Sequence, residues 1–415
     1  MVAKINPSEQ ELNMVTQQFN PFTPEMLKDP YPAYKQLRET APIFFSELME
    51  SWILTRYEDV DFSLRDPRFS ADRGRARTRF SEMIQQQEAE FGPFGRTPTM
   101  LTADPPLHTR LRRLVSKAFT PRAVENLRPR IQEIVDQLLD EAEERGKFDL
   151  VTQLSYPLPV IVIAEMLGIP PEDRARFKHW SDAVVETLGG PFTPPDVMER
   201  ARTSIMELAD YFGEHIADRR QNPRDDLISG LVAAEEQGQV LSEDEIFATL
   251  ILLLIAGNET TTHLIDGGVL ALLRNPDQAQ LLRDDPALMP SAVEELLRYT
   301  GPVQGTGRVA MEPLEIAGQK VEELQLVFGV IGAANHDPAK FENPDRLDVK
   351  RNPTDHVAFG DGIHFCIGAP LARAEAQIAI GSLLRRFPKL TLLEEPTWGG
   401  TFIIRGPKSL RLSTS

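Results

Sequence analysis

Between Ile246 and Ile255 the chain reads IFATLILLLI, apolar on every side of a helical wheel, which is the pattern of a helix buried inside a fold. Ser242-Glu243-Asp244-Glu245 opens it as a capping box, in which Ser242 and Glu245 satisfy each other's amides. Arg274-Asn275-Pro276 closes it, because proline cannot continue the helix. The pattern predicts a helix of about 32 residues and about 48 Å, long enough to cross a whole domain.

The segment Ala256-Gly257-Asn258-Glu259-Thr260-Thr261-Thr262 breaks that pattern at its centre. A glycine inside a helix costs about 1 kcal/mol relative to alanine, and three threonines add to it. A buried, unpartnered Glu259 costs far more. Ala256 and Gly257 would leave a notch for a ligand, and Thr260 can return its hydroxyl to the carbonyl of Ala256. Glu259 and Thr260 could then pass protons toward the notch. On this segment alone, a kink made for packing and a functional site both stay open.

The remaining pattern is mostly helical. A short helix is predicted from Asp29-Pro30-Tyr31-Pro32 to about Glu39, and helices dominate from Pro121 to Pro276, with breaks at 168–171 and 189–195. Strands are predicted at Ile43–Ser46, Trp52–Thr55, Leu314–Ile316, Leu326–Ile331 and Leu390–Leu393. Helices with a minor, sequence-scattered sheet predict a mostly α, α+β fold rather than a doubly wound one.

Composition narrows the function. Hydrophobic residues are 41% and charged residues 26%, as in a globular protein, and the net charge of −17 argues against general nucleic-acid binding. The single cysteine, Cys366, excludes an internal disulfide and a cysteine-based zinc cluster. The N-terminal MVAKINPSEQELNMVTQQF has no apolar core of signal-peptide length, and no stretch offers about 20 uninterrupted apolar residues. A cytoplasmic protein with neither a membrane nor a nucleic-acid partner is expected.

Cys366 stands in HVAFGDGIHFCIGAPLARAEAQ, which runs from His356 to Gln377. Gly360 and Gly362 permit positive φ or close approach to a flat partner, and Ala369-Pro370 opens a helix predicted to about Arg386. A thiol just ahead of a helix N-terminus is favoured as a thiolate, which is a nucleophile or a metal ligand. The competing reading is a small buried hydrophobe.

Phe359-Gly360-x-Gly362-x-His364-x-Cys366-x-Gly368 resembles the haem-ligand loop of the cytochrome P450 superfamily. In the family's order, the segment from Ala256 to Thr261 resembles its oxygen-activating helix, and Glu295-Leu296-Leu297-Arg298 its E-x-x-R motif. Phe341-Glu342-Asn343-Pro344-Asp345-Arg346 resembles the segment supplying the third member of that network, and the stretch from Asp104 to Arg112 the haem-facing helix of soluble bacterial members. The resemblance extends from Asn20 to the C-terminus.

It implies one triangular domain over residues 20–415, behind a tail of residues 1–19, with a long central helix and small sheets. Haem b would lie between that helix and the Cys366 loop, with Cys366 as the iron ligand. Ala256, Gly257, Phe359 and Gly368 would frame it. His108, Arg112, Arg308 and His364 would neutralise its propionates, while Glu295 and Arg298 would hold the structure. Glu259 and Thr260 would manage oxygen and protons. The implied reaction inserts one atom of O2 into a lipophilic small molecule, by hydroxylation or epoxidation, in secondary metabolism. Electrons would come from NAD(P)H through a ferredoxin reductase and ferredoxin, or a flavodoxin, to a monomer. A peroxide-driven peroxygenase and a non-enzymatic haem sensor or carrier are the alternatives, and the Glu259-Thr260 pair weighs against both.

The stripe Arg110, Arg113 and Lys117 reads either as solvated charge or as a docking patch for an acidic ferredoxin. Family position puts Leu253, Val303 and Phe402 in the substrate pocket. Arg73, Arg75, Arg77 and Arg79 either bind an anionic group or are solvated. The chain departs from the family at Glu322 and Leu324, where proline and glycine are usual, which puts the local hairpin in question.

Overall fold

The computed structural model describes residues 19–90, 95–186, 194–236 and 238–414. The helices that position the site are α1 (Tyr31–Thr40), α2 (Leu107–Ala118), α3 (Pro121–Arg145), α4 (Pro157–Met166), α5 (Pro195–Gln221), α6 (Glu243–Arg274), α7 (Met289–Thr300) and α8 (Ala369–Arg386). Helix α6 is the predicted central element. The Ser242 hydroxyl accepts from the Glu245 amide at 3.2 Å, and the Glu245 carboxylate accepts from the Ser242 amide at 2.9 Å. Its apolar residues pack with α4, α5, α7 and α8 in the largest core cluster, which includes Trp180, Phe212, Leu254, Ile265 and Ile380.

A five-stranded sheet flanks this bundle, built from β1 (Ile43–Ser46), β2 (Ser51–Leu54), β3 (Phe69–Ser70), β4 (Thr306–Ala310) and β5 (Leu326–Gly329) in the order β1-β2-β5-β4-β3. Only β2 and β5 run parallel, with Leu326 opposite Ser51. A hairpin of β6 (Thr397–Gly400) and β7 (Arg405–Ser409) packs on α6. Residues 1–18, most of the expected tail, lie outside the described residues. Phe19 belongs with the fold, because it is buried and packs edge-on against Phe44 at 5.9 Å.

Three expectations need correction. The strand expected over Leu326–Ile331 stops at Gly329, and Ile331–Ala334 turns into a short helix whose small residues fit under Tyr34 and Gln304. The helical stretch after Pro121 is interrupted by a strand at Lys147–Asp149, which the C-terminal strand Arg411–Ser413 recruits. The expected break at 189–195 falls mostly outside the described residues. The questioned hairpin forms: Leu314–Ile316 pairs with Gln319–Val321, and Leu324 adopts φ +65° where glycine would be at ease. That left-handed leucine costs about 1–2 kcal/mol, offset locally by its amide bonding the Ala310 carbonyl at 2.7 Å.

Glu295 and Arg298 on α7 form a fully buried bidentate pair at 2.7 and 2.8 Å. Arg298 also donates to the carbonyls of Asn335 and Pro344, each at 2.9 Å. The third charged member is Arg351, whose Nε donates to Glu295 at 3.1 Å. Arg346, in the segment expected to supply it, contributes only its carbonyl oxygen. Arg298→Ala strands a buried carboxylate and should cost about 3–5 kcal/mol in urea unfolding. Arg351→Ala, at a partly exposed position, should cost about 1–2 kcal/mol. A loss below about 1 kcal/mol for Arg298→Ala would contradict this structural role.

Candidate functional site

The Cys366 loop is shaped by local backbone chemistry. Gly360 and Gly362 have φ of +70° and +67°, and a Cβ on Gly362 would lie 2.9 Å from the Leu64 carbonyl oxygen. Gly368 has ordinary φ, so its role is close approach rather than conformation. The Cys366 amide donates to the Phe359 carbonyl at 3.0 Å, folding the loop back on itself. Arg373 lies over the Phe359 ring at 4.6 Å and is clamped by Glu294, which also faces His356 at 3.2 Å. Arg373 and His356 hold the Glu294 carboxyl at about 2 despite its burial.

Cys366 is accessible to solvent at its surface while surrounded by protein, as expected for a group on the wall of a deep cavity. Burial pushes its thiol up. The amides of Gly368 and Ala369 and the guanidinium groups of Arg112 and Arg373 pull the other way.

Helix α6 supplies the second accessible surface. Ala256 and Gly257 are exposed in the middle of an otherwise buried helix, and a Cβ on Gly257 would meet no atom within 4 Å. The Thr260 hydroxyl donates to the Ala256 carbonyl at 2.6 Å, the predicted back-bond. Neighbouring Thr261 is close enough to Glu375 on α8 to favour its carboxylate, so the polar interruption of α6 faces the helix that follows Cys366.

A cationic cluster completes the arrangement. His108 and His364 have ring centroids 4.3 Å apart, His364 Nδ1 bonds the Met100 carbonyl at 3.2 Å, and Arg112 donates to the Phe365 carbonyl at 2.6 Å. Buried Arg308 spends one nitrogen on the Gly307 carbonyl at 2.9 Å. Among the described residues none of the four makes a salt bridge, and His108 Nε2 is buried without a partner. Burial, Arg308 and His108 hold His364 at about 4, and burial and Arg73 hold Arg308 at about 10. Two guanidinium groups and two imidazoles gathered without a salt bridge, three of them feeling only the carboxylate of Asp104, would be relieved by an anion.

The alternating arginines separate. Arg79 pairs with Glu50 and Arg75 with Asp72, whereas the Arg73 stem reaches within 3.2 Å of where a Gly307 Cβ would stand, beside Arg308. The basic stripe on α2 is also divided: Arg110 pairs with Glu245, and Lys117 donates to the Glu235 carbonyl at 2.5 Å. Arg113 is exposed.

An accessible thiol, an open notch and unmatched cations fit a flat, dianionic, iron-bearing group such as haem, and Cys366, Arg112, His108, Arg308 and His364 could hold it. The cytochrome P450 family model matches residues 74–397. The chain belongs to the cytochrome P450 family. It is 42% identical over 407 residues to the polyketide biosynthesis cytochrome P450 PksS of Bacillus subtilis, covering 96% of this chain and 98% of that one. The crystal structure of that relative superposes with a TM-score of 0.88 over 96% of this chain and 100% of the other. The 6-deoxyerythronolide B hydroxylase of Saccharopolyspora erythraea is 37% identical over 393 residues, which are 91% of this chain and 94% of that protein. A testosterone complex of CYP109E1 from Bacillus megaterium is 36% identical with a TM-score of 0.83, over 96% of this chain and 100% of that one. As a cytochrome P450, the protein is a haem-thiolate monooxygenase that uses O2 and NAD(P)H-derived electrons, delivered by redox partners, to oxidise small organic molecules.

Of the pocket residues expected from family position, Leu253 is buried in the main core and Val303 bridges to Ile404. Phe402 packs between Phe22 and Phe328, at 4.9 and 5.4 Å, in the N-terminal aromatic cluster. Sequence reasoning missed Arg351, Glu294, Arg373 and Glu375. For Glu294, Arg373 and Glu375 the available signal was a charged residue within a largely buried helix, above all Glu375 among the alanines of α8, whereas Arg351 lies outside any helix and carried none.

Burial pushes the Glu375 carboxyl up to about 8, and its Oε1 has no partner. Between the ordinary carboxyl value of 4.5 and about 8 only the folded chain keeps this proton, so this group's stabilising contribution falls as pH rises through that window. Glu375→Gln should therefore gain thermal stability over the wild-type holoprotein at pH 8, and little near pH 5. Equal stability differences at both values would show that Glu375 is not held neutral by burial.

Proposed function

We propose that this cytochrome P450 oxygenates a neutral, lipophilic, polyketide- or steroid-sized molecule in the cytoplasm, with electrons from a separate ferredoxin and its reductase. The observation that carries the reading is the open Ala256-Gly257 notch beside the Glu259-Thr260 pair, in the stretch of α6 that faces the helix after Cys366. The substrate class is supported by relatives whose names refer to polyketide biosynthesis and 6-deoxyerythronolide B, and by a structural neighbour that holds testosterone. Helix α6 is the one helix among the described residues long and apolar enough to cross a membrane, and it runs through the core.

Haem bound by a thiolate supplies reductive activation of dioxygen, with electron donation from sulfur favouring O–O cleavage. Cys366 would be the ligand, with the amides of Gly368 and Ala369 tempering its charge. His108, Arg112, Arg308 and His364 would receive the propionates. The Thr260 hydroxyl, oriented by the Ala256 carbonyl, positions the reacting oxygen and its water, and Glu259 brings protons to it. The ferredoxin docks on the face of α2 and the Cys366 loop, where Arg113 is exposed and Ile363 and Leu101 are 54% and 48% accessible. Arg110 and Lys117 are turned to internal partners and take less part.

A panel of macrolide, steroid and fatty-acid compounds, scored by the haem spectral shift and then by product with ferredoxin and NADPH, tests the substrate class. Turnover of none but fatty acids would overturn it. Thr260→Ala should keep haem but divert most reducing equivalents into hydrogen peroxide, and tight coupling in that variant would contradict the role of Thr260. Cys366→Ser should lose the red-shifted Soret band of the reduced carbon monoxide complex and nearly all oxygenation.

A further inference from the structure

Beyond the notch, α6 carries ionisable groups that the reading above does not use. Glu259, His263 and Asp266 follow an i, i+4, i+7 spacing and share one helix face. His263 Nε2 lies 3.7 Å from Glu259 Oε1, and His263 Nδ1 lies 4.0 Å from Asp266 Oδ2. Neither imidazole nitrogen has a hydrogen-bond partner, although the side chain is only 9% exposed. Asp266 is fully buried: its Oδ1 accepts from the Ser155 hydroxyl at 2.6 Å, and its Oδ2 is unpartnered. The ring has no room to retreat, because a Cβ on Gly406 of β7 would lie 2.1 Å from its Cγ and Nδ1.

A histidine kept in the core for shape alone would leave two polar atoms unmatched, each at about 1–3 kcal/mol. The gaps of 3.7 and 4.0 Å exceed hydrogen-bond length by less than about 1 Å, so small movements of the two carboxyl groups toward the ring would close them. The groups around the imidazole define its state. On α6 these are Glu259 and Asp266. The segment before α4 brings Ser155 and, behind Asp266, Asp149, while Glu165 of α4 is spent on Arg130 and Arg174. From β7, Gly406 presents only backbone, and Arg405 donates to the carbonyls of Leu27 and Lys28. No cation faces the trio among the described residues. Burial, reinforced by Asp149, pushes the Asp266 carboxyl well up, so it keeps its proton and can donate to Nδ1. Such a donation would place the imidazole proton on Nε2, facing Glu259.

We propose that His263, backed by Asp266, supplies protons to Glu259. This rests on the Glu259-Thr260 reading and extends it inward. After Glu259 has released its proton toward the notch, it takes the Nε2 proton of His263 as Nδ1 takes the Asp266 proton, so the imidazole stays neutral. When the partly exposed Glu259 next picks up a proton from solvent, it returns one to Nε2 and Nδ1 gives its own back to Asp266, which restores the starting state. One solvent proton is consumed per cycle and no electron is transferred. His263 does not touch the reacting oxygen; it acts through Glu259.

The test uses the holoenzyme in its diamagnetic ferrous carbon monoxide form. The imidazole nitrogens of His263 are identified among the seven histidines by their loss in His263→Asn, and the ring tautomer is read from their NMR shifts. The wild type should carry its proton on Nε2, and Asp266→Leu, which removes the donor to Nδ1, should shift the population toward Nδ1–H. His263→Asn should also raise the peroxide fraction of NADPH oxidation at least about twofold, with whichever panel compound is turned over, and enlarge its solvent deuterium isotope effect. An unmoved tautomer population in Asp266→Leu, or an unchanged peroxide fraction in His263→Asn while Thr260→Ala still uncouples, overturns this proposal alone. If Thr260→Ala also stays coupled, the Glu259-Thr260 reading falls and this proposal with it.

Discussion

A thiolate that must survive away from bulk water sets the terms for the rest of this molecule. Burial by itself raises the Cys366 thiol, which is the wrong direction for an iron ligand. The compensation is local: amides at the start of α8, Arg112 reaching across from α2, and Arg373 held by Glu294. Each partner is in turn anchored elsewhere, so the loop can be glycine-rich without being loose. The buried Glu295–Arg298–Arg351 network belongs to the same argument, since it ties α7 to the long connection leading into the loop.

The same logic explains why α6 tolerates polar residues that local propensity disfavors. An unbroken apolar helix would pack more favourably but would present no hydroxyl, carboxylate or open notch. The structure concentrates the disruption in one stretch. Thr260 and Thr262 return their hydroxyls to backbone carbonyls four residues earlier, so the added polarity is mostly satisfied within the helix. What is left unsatisfied includes His263 and Asp266, which face each other on one side of the helix, the kind of paired polarity that points to function rather than packing error.

Features written in local sequence were the legible ones. The capping box at Ser242, the proline stop at Pro276 and the strand at Ile43–Ser46 each depend on residues adjacent in the chain, and all appear where expected. The glycine-framed thiol and the notch were legible for the same reason. Arg351 was not, because its contact with Glu295 spans 56 positions and nothing in its neighbourhood marks it as buried. The destinations of Arg110 and Phe402 were obscure for similar reasons: a helix face or a family position gives a direction, and the third element that meets it decides the partner. Leu324 shows the converse case, where a correctly noticed departure did not prevent the hairpin because tertiary pairing outweighed a local cost.

Charge distribution links these levels. The chain is strongly acidic, yet its cations are placed where they have work: His108, Arg112, Arg308 and His364 are gathered from three distant segments, with Arg73 beside them. Burial lowers His108, Arg308 and His364, and neighbouring charges lower them further against the pull of Asp104, which is a cost to the folded chain. A dianionic cofactor turns that repulsion into attraction, so binding haem and completing the fold become thermodynamically coupled. The α6 stripe has the opposite sign, two carboxyl groups and an imidazole with no cation among them, and gains nothing from such a partner. One cluster therefore stores affinity for the cofactor, whereas the other is suited to holding protons.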